Sequence, residues 1–153
     1  MSFREIDPFV TDAERQHLLS RINDLNWYQH KSTVSGRLSP LQFKRINFRG
    51  VEAALMKMDP NTTQDWHTDG INLKRSTLIL HPLTDNYSPF MSEQGQSDKP
   101  IIANTQAKHA VFNNNVYRLN LQIPFDVDYN DAIQYNSPVW KLLNKFYKEN
   151  YEQ

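Results

Sequence analysis

Tyr117-Arg118-Leu119-Asn120-Leu121-Gln122-Ile123 alternates apolar and polar side chains, the period of two that an extended strand takes when its faces differ. Short extended segments of the same kind recur at Phe43-Lys44-Arg45-Ile46-Asn47-Phe48, Ala54-Leu55-Met56-Lys57-Met58, Ser76-Thr77-Leu78-Ile79-Leu80 and Ala110-Val111-Phe112. Turn signals separate them: Arg49-Gly50, Asp59-Pro60-Asn61, Asp69-Gly70, His81-Pro82, Asn113-Asn114-Asn115 and Ile123-Pro124. No helix-length pattern lies between these strands. That argues against a doubly wound parallel sheet and predicts a mainly β, antiparallel sandwich or barrel.

Helical signals flank this β core, which spans about 43–125. Thr11 with Glu14 three positions on forms a capping box, and Leu18, Leu19, Ile22 and Leu25 supply an apolar stripe, so an N-terminal helix is expected over about 11–24. Phe9 is positioned as its hydrophobic staple. Ser137-Pro138 resembles an N-cap with proline at the first helical position, and Val139, Leu142, Leu143 and Phe146 follow at helical spacing, predicting a second helix over about 138–150. The polar stretch from Asp85 to Pro100 carries no period and reads as a long, mobile loop. With no internal repeat and no linker, residues 1–153 are expected to form one domain.

The 153 residues carry 17 basic and 17 acidic side chains and no cysteine. Disulfides, thiolate nucleophiles, iron–sulfur clusters and cysteine-ligated zinc are therefore excluded, and a metal here needs nitrogen and oxygen ligands. Zero net charge gives no global field for nucleic acid, although Lys44, Arg45 and Arg49 form a local basic group. No apolar run approaches the roughly 20 residues of a membrane span, and the N-terminus lacks the apolar region of a signal peptide. A cytoplasmic protein with no membrane partner is the expectation.

Of the five histidines, His17 reads as a helix-surface residue, His30 as part of a polar loop and His81 as a structural group at a strand end. His67 differs because Trp66-His67-Thr68-Asp69-Gly70 puts a carboxylate two residues on, so that in an extended chain both side chains project to one face. His109 opens a later strand, and Arg118 follows it by nine residues on the next. Two histidines and one carboxylate make the facial triad of non-haem iron(II) sites, and an arginine nearby suits bidentate pairing with a carboxylate. The alternative is a hydrogen-bonded His67–Asp69 pair in a turn, with Arg118 a surface strand residue. Trp66 is expected in the core, and Asn113 either positions the loop after His109 or occupies a turn.

The order H-x-D, distal histidine, then arginine resembles the iron(II)- and 2-oxoglutarate-dependent oxygenases. The resemblance covers roughly residues 53–125. His109-Ala110-Val111-Phe112-Asn113 is similar to the distal-histidine motif of the aspartyl/asparaginyl β-hydroxylase branch, in which Arg75 also has a counterpart, and there is some likeness to the prolyl hydroxylase-like branch. Asp69 and Thr77 depart from the β-hydroxylase pattern, which lacks the carboxylate and has a histidine at the second position. The resemblance implies a double-stranded β-helix (jelly roll, cupin-like), with His67, Asp69 and His109 as catalytic iron ligands. It further implies Fe(II) and 2-oxoglutarate as cofactor and co-substrate, held at the distal carboxylate by Arg118 or Arg75. The activity implied is hydroxylation of an amino acid, protein side chain or small molecule. Two competing readings are a cupin-like metal or small-ligand binding module without turnover, and nucleic-acid demethylation through the Lys44, Arg45, Arg49 group. Specificity is expected in the segments 85–100 and 27–40.

Overall fold

A computed structural model describes residues 2–23, 26–31, 38–69, 77–125, 128–134 and 141. In chain order its strands are β1 (Phe3–Glu5), β2 (Tyr28–Lys31), β3 (Leu38–Phe48), β4 (Val51–Met58), β5 (Thr63–His67) and β6 (Thr77–Pro82). They continue as β7 (Phe90–Ser92), β8 (Gly95–Ser97), β9 (Ile101–Asn104), β10 (His109–Phe112) and β11 (Arg118–Phe125). Helix α1 (Asp12–Leu19) runs on into a 3-10 turn at Ser20–Asn23, and the short α2 (Tyr129–Ala132) follows β11. A large sheet has the order β1-β9-β6-β11-β4-β3-β2 and a small one β5-β10-β7-β8, with every ladder antiparallel. This is a jelly roll.

Period two decides what each face of the large sheet does. Leu119, Leu121, Ile123 and Phe125 of β11, Val51, Ala53 and Leu55 of β4, Ile79 of β6 and Ile102 of β9 form the main core. Leu18 of α1 is buried among them, and Phe9, Leu19 and Ile22 pack on the cluster. Truncating one such enclosed side chain to alanine costs about 2–5 kcal/mol. The alternate residues point the other way, so that Arg118, Asn120 and Gln122 of β11, Ala54 and Met56 of β4, and Leu78 and Leu80 of β6 line a cavity between the sheets. The same alternation thus builds the core and aims the polar residues.

The N-terminal helix begins as expected. The Thr11 hydroxyl accepts from the Glu14 backbone N–H at 3.1 Å, and the Glu14 carboxylate accepts from the Thr11 N–H at 3.0 Å. Phe9, expected as a staple, packs edge-on against Phe48 and His81. At Arg49-Gly50 both residues take positive φ, 52° and 83°, the two-residue turn whose twist suits the β3–β4 hairpin.

Several sequence expectations are corrected. The stretch 85–100 is a loop only at its two ends: over 90–97, β7 and β8 pair as a hairpin, with Phe90 and Ser97 buried. Strands of three residues are too short to show a period, and serine side chains hold the hairpin, Ser92 Oγ donating to the Gly95 carbonyl and Ser97 Oγ to Glu5. Ile123-Pro124 does not end a strand but lies within β11, whereas His81-Pro82, as expected, forms the end of β6. Each proline sits past the end of one flanking ladder, so its missing N–H leaves no partner unpaired. His30 belongs to β2 rather than a loop, and β1 and β2 form the two edges of the large sheet, beyond the predicted core. Trp66 is 41% exposed and outside the core. The predicted helix over 138–150 lies, except for Lys141, outside the described residues. Among the described residues no helix is long and apolar enough to cross a membrane.

Candidate functional site

The two histidines meet because β5 and β10 pair with His67 opposite His109. The ladder then slips, since Val111 faces Gln64, leaving one extra residue on β5. In an unbulged strand Gln64 and His67 would face opposite sides. The bulge lets Gln64 line the cavity while His67, three residues on, turns toward Asp69. Asp69 lies just past the end of β5, where its backbone N–H donates to the Thr105 carbonyl at 3.1 Å.

One carboxylate oxygen, Asp69 Oδ1, lies 3.3 Å from His67 Nε2 and 3.2 Å from His109 Nε2. The other ring nitrogens face main-chain carbonyls, His67 Nδ1 at 2.6 Å from Asp65 and His109 Nδ1 at 2.9 Å from Ala107. These carbonyls can only accept, so each Nδ1 carries a proton, and a ring that gives up its Nε2 proton presents a lone pair there. Three electron-pair donors thus lie within 4.8 Å of one another. Metal–ligand bonds of about 2.1 Å at right angles separate neighbouring ligand atoms by about 3 Å. The two spacings to Asp69 and the donor set fit a small divalent cation such as iron(II). Phe90, at 5.3 Å and 19° from the His109 ring, stacks on it and holds its plane.

Electrostatics without a cation follow from the same contacts. Burial works against the charge on Asp69, but the hydrogen bonds with His109 and then His67 overcome it and hold the carboxyl well below the usual range. For His67 burial disfavours the cation, yet Asp69 and then the Asp65 carbonyl outweigh it and raise its pKa.

Arg118 opens β11 on the cavity face and is 3% exposed. Its Nε donates to the Ser88 carbonyl at 2.9 Å, and its guanidinium lies 4.0 Å from the centre of the Tyr87 ring. Nη2 is buried with no hydrogen-bond partner. Burial pulls its pKa down, against the opposing effect of Tyr87. Asn120, two residues on, donates from Nδ2 to the Tyr87 hydroxyl at 3.1 Å and leaves Oδ1 unpaired. A buried cation with no anion costs several kcal/mol. The unfilled donor capacity fits an anionic group in the cavity, whose volume is about 270 Å³.

The structure therefore brings together His67, Asp69 and His109, with Arg118 lining the same cavity as Asp69 and His109. Arg75 lies outside the described residues. Asn113 does position its loop, donating to the Asp59 and Val116 carbonyls at 3.0 and 2.9 Å. His81 is structural: its Nε2 accepts from the Phe9 and Val10 N–H groups. Sequence reasoning missed Tyr87 and Phe90, hidden in the supposed loop. It also missed Asn120, although the period that selects Arg118 selects Asn120 with it.

No protein-family model matches the sequence, and no curated protein matches it. Among solved structures, the chain superposes on an oxidoreductase of the 2OG-Fe(II) oxygenase family from Burkholderia pseudomallei with a TM-score of 0.57, 10% identity, and coverage of 82% of this chain and 85% of that one. The fold is the one that such oxygenases share. A Pseudomonas putida prolyl-4-hydroxylase gives a TM-score of 0.57 at 11% identity, covering 82% of this chain and 92% of that one. The DMSP lyase DddQ from Ruegeria pomeroyi gives 0.50 at 10% identity, covering 79% and 66%. At such identities the likeness is one of fold, and chemistry has to be argued from the site.

Proposed function

We propose that the protein is an iron(II)- and 2-oxoglutarate-dependent dioxygenase that hydroxylates an amino acid, a protein side chain or another small molecule. The observation that carries this reading is a His67–Asp69–His109 donor set, of which Asp69 and His109 line one cavity with a buried guanidinium lacking an anion. His67 and His109 supply Nε2 and Asp69 a carboxylate oxygen to the metal, leaving other coordination positions open. The carbonyls of Asp65 and Ala107 fix both rings in the ligating tautomer.

Arg118 pairs with the distal carboxylate of the co-substrate, turning an unpaired charge into a charge-assisted pair. The Asn120 amide can be reversed, with Tyr87 donating to Oδ1 and Nδ2 freed to donate to the same carboxylate. Bound iron(II) and 2-oxoglutarate supply the oxidising power, because dioxygen is reduced as the keto acid loses carbon dioxide to become succinate, with one oxygen atom entering a substrate C–H bond. Leu78, Leu80, Phe90 and Ala103 form an apolar wall that limits water near the reacting atoms. Of the basic group read as a nucleic-acid signal, Arg49 is held by Glu14, which removes one of its three members.

Anaerobic titration of 2-oxoglutarate into the iron(II)-loaded protein tests the reading. The expected result is a visible charge-transfer band in wild type, lost in His67→Ala and His109→Ala and requiring far more 2-oxoglutarate in Arg118→Gln. Metal retention with no response to 2-oxoglutarate would instead support the cupin-like binding module.

A further inference from the structure

Three charged side chains line the cavity among the described residues besides the histidine: Asp69, Arg118 and Arg45. Arg45 has no part in the site above. It lies on β3 opposite Ala54 of β4, and Ala54 lies opposite Gln122 of β11, so one cross-strand row reads Arg45, Ala54, Gln122. Adjacent strands are about 4.8 Å apart, which separates the bases of the two long side chains by about 10 Å over a single methyl group. Among the described residues neither Arg45 nor Gln122 has a side-chain hydrogen bond or an ion pair, and Gln64, on the opposite sheet, has none either. Arg45 is exposed, and an exposed arginine without a partner would by itself be unremarkable. One set on the cavity face, beside two free carboxamides and above a gap left by alanine, forms a recognition surface.

We propose that Arg45 and Gln122, spaced by Ala54, bind a carboxylate of the primary substrate, which is therefore a singly charged organic acid rather than a neutral molecule or a cation. The proposal rests on the dioxygenase reading for what else occupies the cavity. On that reading the charges of iron(II) and doubly ionised 2-oxoglutarate cancel, and Asp69 cancels Arg118. Among the described residues that line the cavity, Arg45 then remains as the one uncompensated charge, which one carboxylate neutralises and a phosphate monoester dianion would overshoot. The planar guanidinium fork matches a carboxylate, the Gln122 and Gln64 amides add neutral donors, and the alanine gap gives the group room. Arg118 lies four residues from Gln122 along β11, roughly 13 Å away, so the two arginines serve separate anions.

The test uses the full chain loaded with redox-inert zinc(II) and saturating 2-oxoglutarate. It is titrated by calorimetry with N-acetylated amino acids and short organic acids, each paired with its neutral primary amide, and with inorganic phosphate. The expected result is that some acids bind, their amides bind at least about 10-fold more weakly, and phosphate binds more weakly than the best acid. Arg45→Gln should weaken acid binding by about 10-fold or more and leave 2-oxoglutarate affinity within about twofold, with Arg45→Lys intermediate. Ala54→Leu, which keeps every charge and fills the gap, should lose acid binding too. The proposal is overturned if no acid binds, if acids and amides bind alike, if phosphate binds best, or if Arg45→Gln weakens 2-oxoglutarate as much as the acid. A prior titration of wild type with 2-oxoglutarate alone separates the two readings: its failure sinks the dioxygenase assignment and leaves Arg45-dependent acid binding measurable.

Discussion

Arg49, in the turn after β3, meets Glu14 through two parallel bonds, Nε to Oε2 at 2.7 Å and Nη2 to Oε1 at 2.5 Å, and donates again to the Phe9 carbonyl at 2.8 Å. Arg118, at the start of β11, is more deeply buried, yet it has one carbonyl, one aromatic face and no carboxylate. Folding stability alone would favour the reverse, since a buried charge needs its counter-ion more than a half-covered one does. The Arg49 pair ties the start of α1 to the β3–β4 turn. The cavity arginine has been left with spare donors, which makes sense when its partner arrives as a ligand.

The largest expected effect comes from breaking this comparison at Arg118. Arg118→Met keeps the side chain's length and its packing on Tyr87 and removes the charge. Affinity for 2-oxoglutarate should fall by more than about 100-fold, because a charge-assisted bidentate pair is lost in a dry site. The ligand-free protein should be no less stable, and up to about 2 kcal/mol more stable, because an uncompensated buried charge is gone. Equilibrium denaturation without ligand measures this directly. A clear loss of stability would mean that Arg118 is a structural group.

Asn120→Leu comes next. It should weaken 2-oxoglutarate by about 10-fold, the contribution of one hydrogen bond to a charged group, and leave metal affinity unchanged. Paired titrations of metal and 2-oxoglutarate distinguish this from general damage to the cavity. A parallel loss of both would place Asn120 in support of the whole fold.

Arg49→Met then probes the other side of the comparison. The bidentate pair and the Phe9 contact are partly solvent-screened, so the expected loss is about 1 kcal/mol, or roughly 3 °C in melting temperature, with no change in metal or 2-oxoglutarate binding. Arg118→Met and Arg49→Met should therefore move stability and ligand affinity in opposite patterns.

How far these contrasts could be read from the sequence depends on how local their causes are. The capping box at Thr11 and Glu14 needs only four residues, and the structure has it. The jelly roll was legible because period two runs through β4 and β11, whose side chains divide between core and cavity. His67 and Asp69 were legible as a pair, but the β5 bulge that aims His67 is a property of its pairing with β10. The β7–β8 hairpin was invisible because its strands are three residues long and held by serine hydroxyls. Tyr87 and Phe90 were hidden with it. The charge state of the cavity was equally out of reach: that Arg49 is paired and Arg45 and Arg118 are not depends on Glu14, distant along the chain, and no local pattern encodes it.

The smallest expected effect sharpens the comparison through pH. The hydrogen bond from Arg49 lowers the Glu14 pKa from 4.5 to about 2, with burial opposing and Thr11 assisting. A carboxyl depressed on folding contributes stability that is fully present above its unfolded value and is lost as pH falls through the folded one. The window for Glu14 therefore runs from about pH 4.5 down to about pH 2. After allowance for solvent screening, the contribution is of the order of 1 kcal/mol. Wild type should lose it between those limits, whereas Glu14→Gln, already without it at neutral pH, should show a shallower acid dependence. Some dependence must survive in that variant, because Asp69 is also held down, by His109 and His67, and these contacts are untouched. If Glu14→Gln flattened the acid limb entirely, the Asp69 carboxyl would not be held below its ordinary range by the two histidines, and the contacts that draw these three groups together without a metal would contribute nothing to stability.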